Sequence, residues 1–266
     1  MFKFQNLERT YQVLLIMLAF IFPLTVFGGN LIIVIIVTIW LLSGNYRSKF
    51  DEILSSKLMI SSIVFFIIHA IGLIWTEDIK WGLHILHKMW YFILLFPVFH
   101  SIVQSKFIRY YVIAFIASIT LTEILSYLVW FELIPAFRAA TIENPTPFMS
   151  HISYNPILAF SIYLVSHEFF FNKGLSNYNF WLYSCLMVSM SINMFITGGR
   201  AGQVAFFLML TILIFQFFSG QKMKSLFITL LIIPLIFFTA YQSSDLFKNR
   251  VDNAIQNTIQ FENNRF

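Results

Sequence analysis

The sequence predicts an all-α protein, a polytopic integral membrane helix bundle of about nine transmembrane helices with a cytoplasmic N-terminus. Composition is the first observation behind this. Of 266 residues, 59% are hydrophobic and only 11% charged, and the mean hydropathy is +0.79. A water-soluble fold cannot hide that much apolar surface, so the solvent is a bilayer. The second observation is a series of apolar runs of helical length, and the third is the placement of the basic residues between them.

The runs fall at residues 11–27, 31–42, 58–75, 89–103, 108–130, 156–171, 180–196, 202–218 and 226–240. Several fall short of the roughly 20 residues of a straight span, so their true ends extend a few residues further. Between the first two, "FPLTVFGGNLII" holds Gly28, Gly29 and Asn30, a combination that predicts a tight turn separating two helices. The first run lacks a small-residue cleavage site, which predicts a retained N-terminus.

With nine spans and the N-terminus inside, ten basic residues fall at inner ends, among them Lys3, Arg9, Arg47, Lys49, Lys57 and Lys106. Four fall on outer connections: Lys80, Lys88, Arg138 and Arg200. That asymmetry is the one the positive-inside rule expects. Lys248, Arg250 and Arg265 belong to a polar stretch, 241–266, after the last run. The predicted organisation is therefore a bundle over 1–240 and a periplasmic tail over 241–266, the start of a larger periplasmic region.

Other classes find no support. A net charge of +5, scattered along the chain, does not suggest nucleic acid. The single cysteine, Cys185, sits in an apolar run and is expected to be a buried small hydrophobe. His84 and His87 are three apart but lack a third ligand at a metal-binding spacing, so neither metal nor cofactor is expected.

The outer connections hold the candidate residues. "EDIKWGLHILHKMW" sets Trp81, Ile85, Met89 and Trp90 against Lys80, His84, His87 and Lys88, the pattern of an interfacial helix. Lys88, beside the next span, is also placed to hold an anionic headgroup. In the loop 132–155, Pro135, Pro145 and Pro147 preclude a continuous helix and suggest a structured cap or re-entrant piece. Its functional candidates are Arg138, Glu143 and His151: a guanidinium suits bidentate phosphate contact, while a loop histidine is ordinarily solvated or hydrogen-bonded. Within the runs, His69, His100 and Glu123 are expected to face the bundle interior, pair up or stay neutral, with Glu123 placed to neutralise an outer arginine. His167 and Glu168, at an inner end, need no special role.

"TGGRAG" is the sharpest signal. Arg200 lies on the side where a topology anchor is disfavoured. The following run starts a helix whose positive end and free N–H groups point outward. Gly198, Gly199 and Gly202 would let the backbone approach a ligand. Helix start, glycines and guanidinium together predict a seat for a phosphate or diphosphate.

A "(Ser/Thr)-x-x-Arg-x-Gly"-like turn at the outer end of a helix, after a "HISYNPILAF"-type span and a basic segment before "WYFILLFP", resembles the O-antigen ligase and polymerase family of bacterial surface-polysaccharide enzymes. The resemblance implies a metal-independent membrane glycosyltransferase of the bacterial inner membrane. Such an enzyme moves a glycan from undecaprenyl diphosphate to an acceptor saccharide or lipid A core at the periplasmic face. By the matching turn, Arg200 and Gly199 would contact the donor diphosphate, with Arg138 and Lys88 as further members of that anionic site. The family's catalytic histidine lies in a periplasmic region after these spans, and no histidine follows His167 here. The expectation is an N-terminal portion of a longer protein, without glycan transfer of its own. The competing expectations are a non-catalytic binding subunit and a transporter or flippase fragment for a lipid-linked saccharide.

Overall fold

The computed structural model describes the backbone of residues 2–263 and the side chains of residues 7–256. The Lys3 side chain and Arg265, counted above among the basic residues, lie outside them. The fold is all-α. In order the helices are α1 (Phe2–Ile21), α2 (Val26–Leu42), α3 (Tyr46–Ser55), α4 (Lys57–Gly72), α5 (Ile79–Lys88), α6 (Trp90–Ile93), α7 (Leu95–Ile102), α8 (Ile108–Trp130), α9 (His151–Phe171), α10 (Asn177–Ile196), α11 (Arg200–Phe217), α12 (Lys222–Ser243) and α13 (Asp245–Asn263).

Among the described residues, five segments are long and apolar enough to cross a membrane: Lys57–Trp75, Ser105–Trp130, Asn177–Ile196, Arg200–Phe217 and Lys222–Ser243. The number rises to seven if two bent pairs each form one span, α2 with α3 (116°) and α5 with α6–α7 (50°).

The break between α1 and α2 is not at the glycines. It falls earlier, where the amides of Leu24 and Thr25 both donate to the Ile21 carbonyl at 2.9 and 3.0 Å. Pro23 explains the shift: it has no N–H to continue the ladder, and its ring disfavours the helical conformation in the residue before it. Gly28, Gly29 and Asn30 are helical in α2, where apolar neighbours carry the helix through them.

The chain forms two compact units, Met1–Leu18 with Phe27–Tyr111, and Ala19–Val26 with Val112–Phe266. In the first, α3 packs on α4 and α7. Phe92 makes edge contacts with Phe65 and Phe96 at 5.0 and 5.3 Å. Polar ties fix the helices to one another: Gln12 Nε2 donates to the Ile102 carbonyl at 2.9 Å and Trp40 Nε1 to Ser101 Oγ at 2.8 Å.

In the second unit α9 is the central helix, packed on α10 and α11. Its inward face is apolar at Tyr154, Leu158, Ile162 and Val165, and polar at Asn155, Ser161 and Ser166. A helix enclosed by protein needs no lipid-like surface, so α9 carries buried polar groups and falls outside the five apolar segments. Tyr154 Oη donates to Asn193 Oδ1 and Asn193 Nδ2 to Ser126 Oγ, both at 3.0 Å, linking α8, α9 and α10. Between helices in a bilayer such hydrogen bonds help set who packs on whom, because lipid tails compete with every apolar contact.

Three expectations change here. Glu123 is 2% exposed and its Oε1 has no hydrogen-bond partner, so it does not neutralise an arginine. Cys185 is exposed, not buried; in a chain whose solvent is itself apolar, an apolar run does not reveal which of its faces points inward. And the stretch expected as a polar tail holds the end of α12 and then α13, whose Phe247 is 3% exposed.

Candidate functional site

The site grows from the α10–α11 turn, residues 197–199. Thr197 ends α10 fully buried, its Oγ1 donating to Asn155 Oδ1 at 2.7 Å, while Asn155 Nδ2 donates to the Thr197 carbonyl at 3.3 Å. Gln203 Nε2 reaches the same carbonyl at 3.3 Å. One asparagine of α9 thus clamps the turn from both sides.

The glycines belong to this clamp more than to a ligand. A Cβ on Gly199 would stand 2.5 Å from the His151 carbonyl oxygen and 2.8 Å from Asn155 Cβ. A Cβ on Gly202 would stand 2.2 Å from Asn155 Cβ. Both residues are glycine because α9 crosses α11 here at backbone contact, as small residues permit in membrane bundles. Gly198 differs: a Cβ there would meet Asn144 Oδ1 at 2.6 Å and the Arg250 guanidinium at 3.2 Å. The Gly198 amide already donates to Asn144 Oδ1 at 3.1 Å, which ties the loop before α9 to the turn.

That loop is a folded cap. The Thr141 and Asn144 amides donate to each other's carbonyls at 3.0 and 3.2 Å, the Ala139 amide donates to the Pro147 carbonyl at 3.3 Å, and Pro145, Thr146 and Pro147 are buried. Arg138 sits in it with φ 54°, its guanidinium carbon 5.2 Å from the centre of the Phe148 ring, a cation–π contact.

Arg200 is the first residue of α11, and the Gly199 before it offers no side chain to cap the first-turn amides. The exposed Arg200 and the half-buried Arg250 of α13 line one groove of about 410 Å³. Val204, Phe207, Phe237, Phe247, Val251 and Ile255 form its walls. α13 is delivered to this position by Phe247 and Ser244. Phe247 lies edge-on to Phe195 and Phe237, each at 5.3 Å, and Ser244 Oγ donates to the Phe195 carbonyl at 2.8 Å. The product is an apolar slot with two guanidinium groups and a helix N-terminus, a combination suited to an amphiphilic anion.

Of the four residues predicted for a diphosphate, Arg200 lines the groove, Gly199 is enclosed by α9, and Arg138 stacks in the cap and is not among the lining residues. Lys88 ends α5 in the first unit, exposed. Arg250 is not among the residues predicted from the sequence, because 241–266 reads as a polar tail. The signal was there in "SSDLFKNRVDNAI": Ser244 accepts from the Phe247 amide at 3.2 Å, and Phe247, Val251 and Ile255 recur every four residues, one helical face.

His151 opens α9 half-buried. Among the described residues no group of three His, Cys, Asp or Glu side chains is placed to hold a metal. No protein-family model matches this chain, and no curated protein or solved structure matches it.

Proposed function

We propose that this chain binds a polyprenyl-diphosphate-linked saccharide, undecaprenyl diphosphate in a bacterial inner membrane, as the donor site of an O-antigen ligase- or polymerase-type glycosyltransferase. The observation that carries the reading is the pairing of Arg200 and Arg250 with one apolar groove. The diphosphate is the leaving group of glycosyl transfer, and fixed cations beside it stabilise the charge that develops as the glycosidic bond breaks. The isoprene chain lies along Phe207, Phe237 and Phe247, and the acceptor saccharide or lipid A core approaches from the periplasm. In this reading nine helical passes cross the membrane from a cytoplasmic N-terminus. The seven segments named by length become nine when α1 and α9 are added.

A second reading has its own support. Among the described residues the groove lining contains no carboxylate and no imidazole, so those residues supply no proton acceptor. That favours a subunit that holds the lipid-linked saccharide while chemistry is performed elsewhere.

The test is saturable binding of polyprenyl diphosphate to the purified chain. Arg200→Ala and Arg250→Ala are each expected to weaken it about tenfold or more, since a hydrogen bond to a charged group contributes about 1.5–3 kcal/mol. Arg200→Lys should recover little, a point charge being a poor substitute for a planar fork. Unchanged affinity in both alanine variants would defeat the diphosphate assignment. Glycan transfer by the purified chain in the presence of an acceptor would defeat the second reading.

A further inference from the structure

The first unit builds a separate cavity pair that the arginine groove does not explain. One cavity, about 330 Å³, is polar at Glu8, Tyr11, Gln12, Lys49, Glu52 and Gln104. The other, about 920 Å³, has walls of Leu58, Phe65, Phe92, Phe96 and Phe99. Glu52 and Val103 line both, so the polar chamber adjoins the aromatic one. These volumes fall in the range of roughly 300–1,000 Å³ typical of small-ligand sites.

We propose that this pair holds one phospholipid with a primary-ammonium headgroup, of the ethanolamine type, its phosphate on Lys49, its ammonium between Glu8 and Glu52, and an acyl chain among the phenylalanines. The inference is independent of the diphosphate reading.

Lys49 is already fixed. Its Nζ donates to the Trp40 carbonyl at 2.6 Å and to Ser43 Oγ at 2.7 Å, and stands 4.4 Å from the centre of the Trp40 ring. An ammonium has three donors, so one remains for a phosphate oxygen, and a pinned side chain loses little entropy on using it. Glu8 accepts from Gln104 Nε2 on Oε2 at 3.5 Å; its second oxygen and the Glu52 carboxylate are acceptors only, suited to a cation bearing N–H groups.

The charges select among headgroups. With one lysine and two carboxylates the chamber carries a net negative charge, which disfavours an anionic glycerol headgroup. A choline headgroup has no N–H to give, and the aromatic face it would prefer, that of Trp40, already bears the Lys49 ammonium. The backbone supplies the depth. Asn45 takes φ 53°, the chain bends 116° from α2 to α3, and α3 exposes Phe50 and Leu54 as well as Arg47 and Asp51, the surface of an interfacial helix lying where headgroups lie.

The experiment titrates the delipidated full chain with phosphatidylethanolamine, phosphatidylcholine and phosphatidylglycerol of the same acyl composition, read by native mass spectrometry. Phosphatidylethanolamine is expected to bind about tenfold tighter than either of the others, one tenfold step being one good charge-assisted hydrogen bond. Soluble phosphoethanolamine should compete poorly, because it forgoes the aromatic chamber; full displacement by it at matched concentration would overturn the lipid assignment. Lys49 also braces Trp40, so the decisive variant is Glu8→Gln with Glu52→Gln, both on exposed side chains. It should bring phosphatidylethanolamine down to the phosphatidylcholine level. Equal affinity for the three lipids, a preference for phosphatidylglycerol, or an unchanged preference in the double glutamine variant would each overturn the proposal.

Discussion

A Gly202→Ala chain is expected to melt on the order of 10 °C below the parent and to lose most of its monodisperse fraction on extraction. The added methyl would stand 2.2 Å from Asn155 Cβ, 2.3 Å from the Asn155 carbonyl carbon and 2.7 Å from its Cα. Overpacking against movable side chains costs about 1–3 kcal/mol. Here two of the three atoms are backbone, and Pro156 follows at once, so α9 must move as a body. That movement would also break the Asn155 clamp on Thr197, at 2.7 and 3.3 Å. A loss of about 3 kcal/mol corresponds to several degrees in a unit of this size. Gly72→Ala is the control: a Cβ there meets nothing within 4 Å, in a helix without a positive φ, and alanine should raise helix stability by about 0.5–1 kcal/mol. A Gly202→Ala protein melting within a degree of the parent would show that α9 and α11 do not meet at backbone distance.

The same residues show what a sequence can and cannot say about such a chain. That the fold is helical and apolar is a one-dimensional property, written in hydropathy, and it survives in the structure. The break between α10 and α11 survives too, with α11 starting at Arg200, two residues before the apolar run that begins at Gly202. The purpose of the glycines was not legible. A glycine admits any close neighbour, ligand or helix, and only the placement of Asn155 against Gly199 and Gly202 distinguishes them. Nor could inward faces be read from periodicity: with lipid on one side and protein on the other, both faces of α10 are apolar, and Cys185 is exposed while Met190 and Met194 are fully buried. At the first turn Pro23 prevailed over Gly28 and Gly29, since a missing donor ends a ladder whereas a glycine merely weakens it.

The place of Arg250 depends on a residue with no charge. Phe247→Ala is expected to weaken polyprenyl diphosphate binding as much as Arg250→Ala. Phe247 is 3% exposed, held edge-on by Phe195 at 84° and Phe237 at 74°. Truncating such a ring costs about 3–5 kcal/mol in a core. Other ties of α13 include Ser244 Oγ on the Phe195 carbonyl at 2.8 Å, Tyr241 Oη on Asp252 Oδ1 at 2.8 Å and the Lys248 ammonium 5.7 Å from the centre of the Tyr241 ring, about 1 kcal/mol net for each hydrogen bond. They do not offset that loss. Among the described residues α13 packs on α10 and α12, with far fewer neighbours than α9 has, so the outcome is local opening with the rest of the unit folded. Limited proteolysis should cut within α13 in the alanine variant and spare the parent, and Phe247→Leu, which keeps most of the volume, should restore both protection and binding. The informative combination is a cleaved, open α13 with undiminished diphosphate affinity. It would mean that Arg250 only lines the groove, leaving Arg200 and the first-turn amides of α11 to hold the anion alone. Loss of affinity in step with cleavage would make the docking of α13 the event that completes the site.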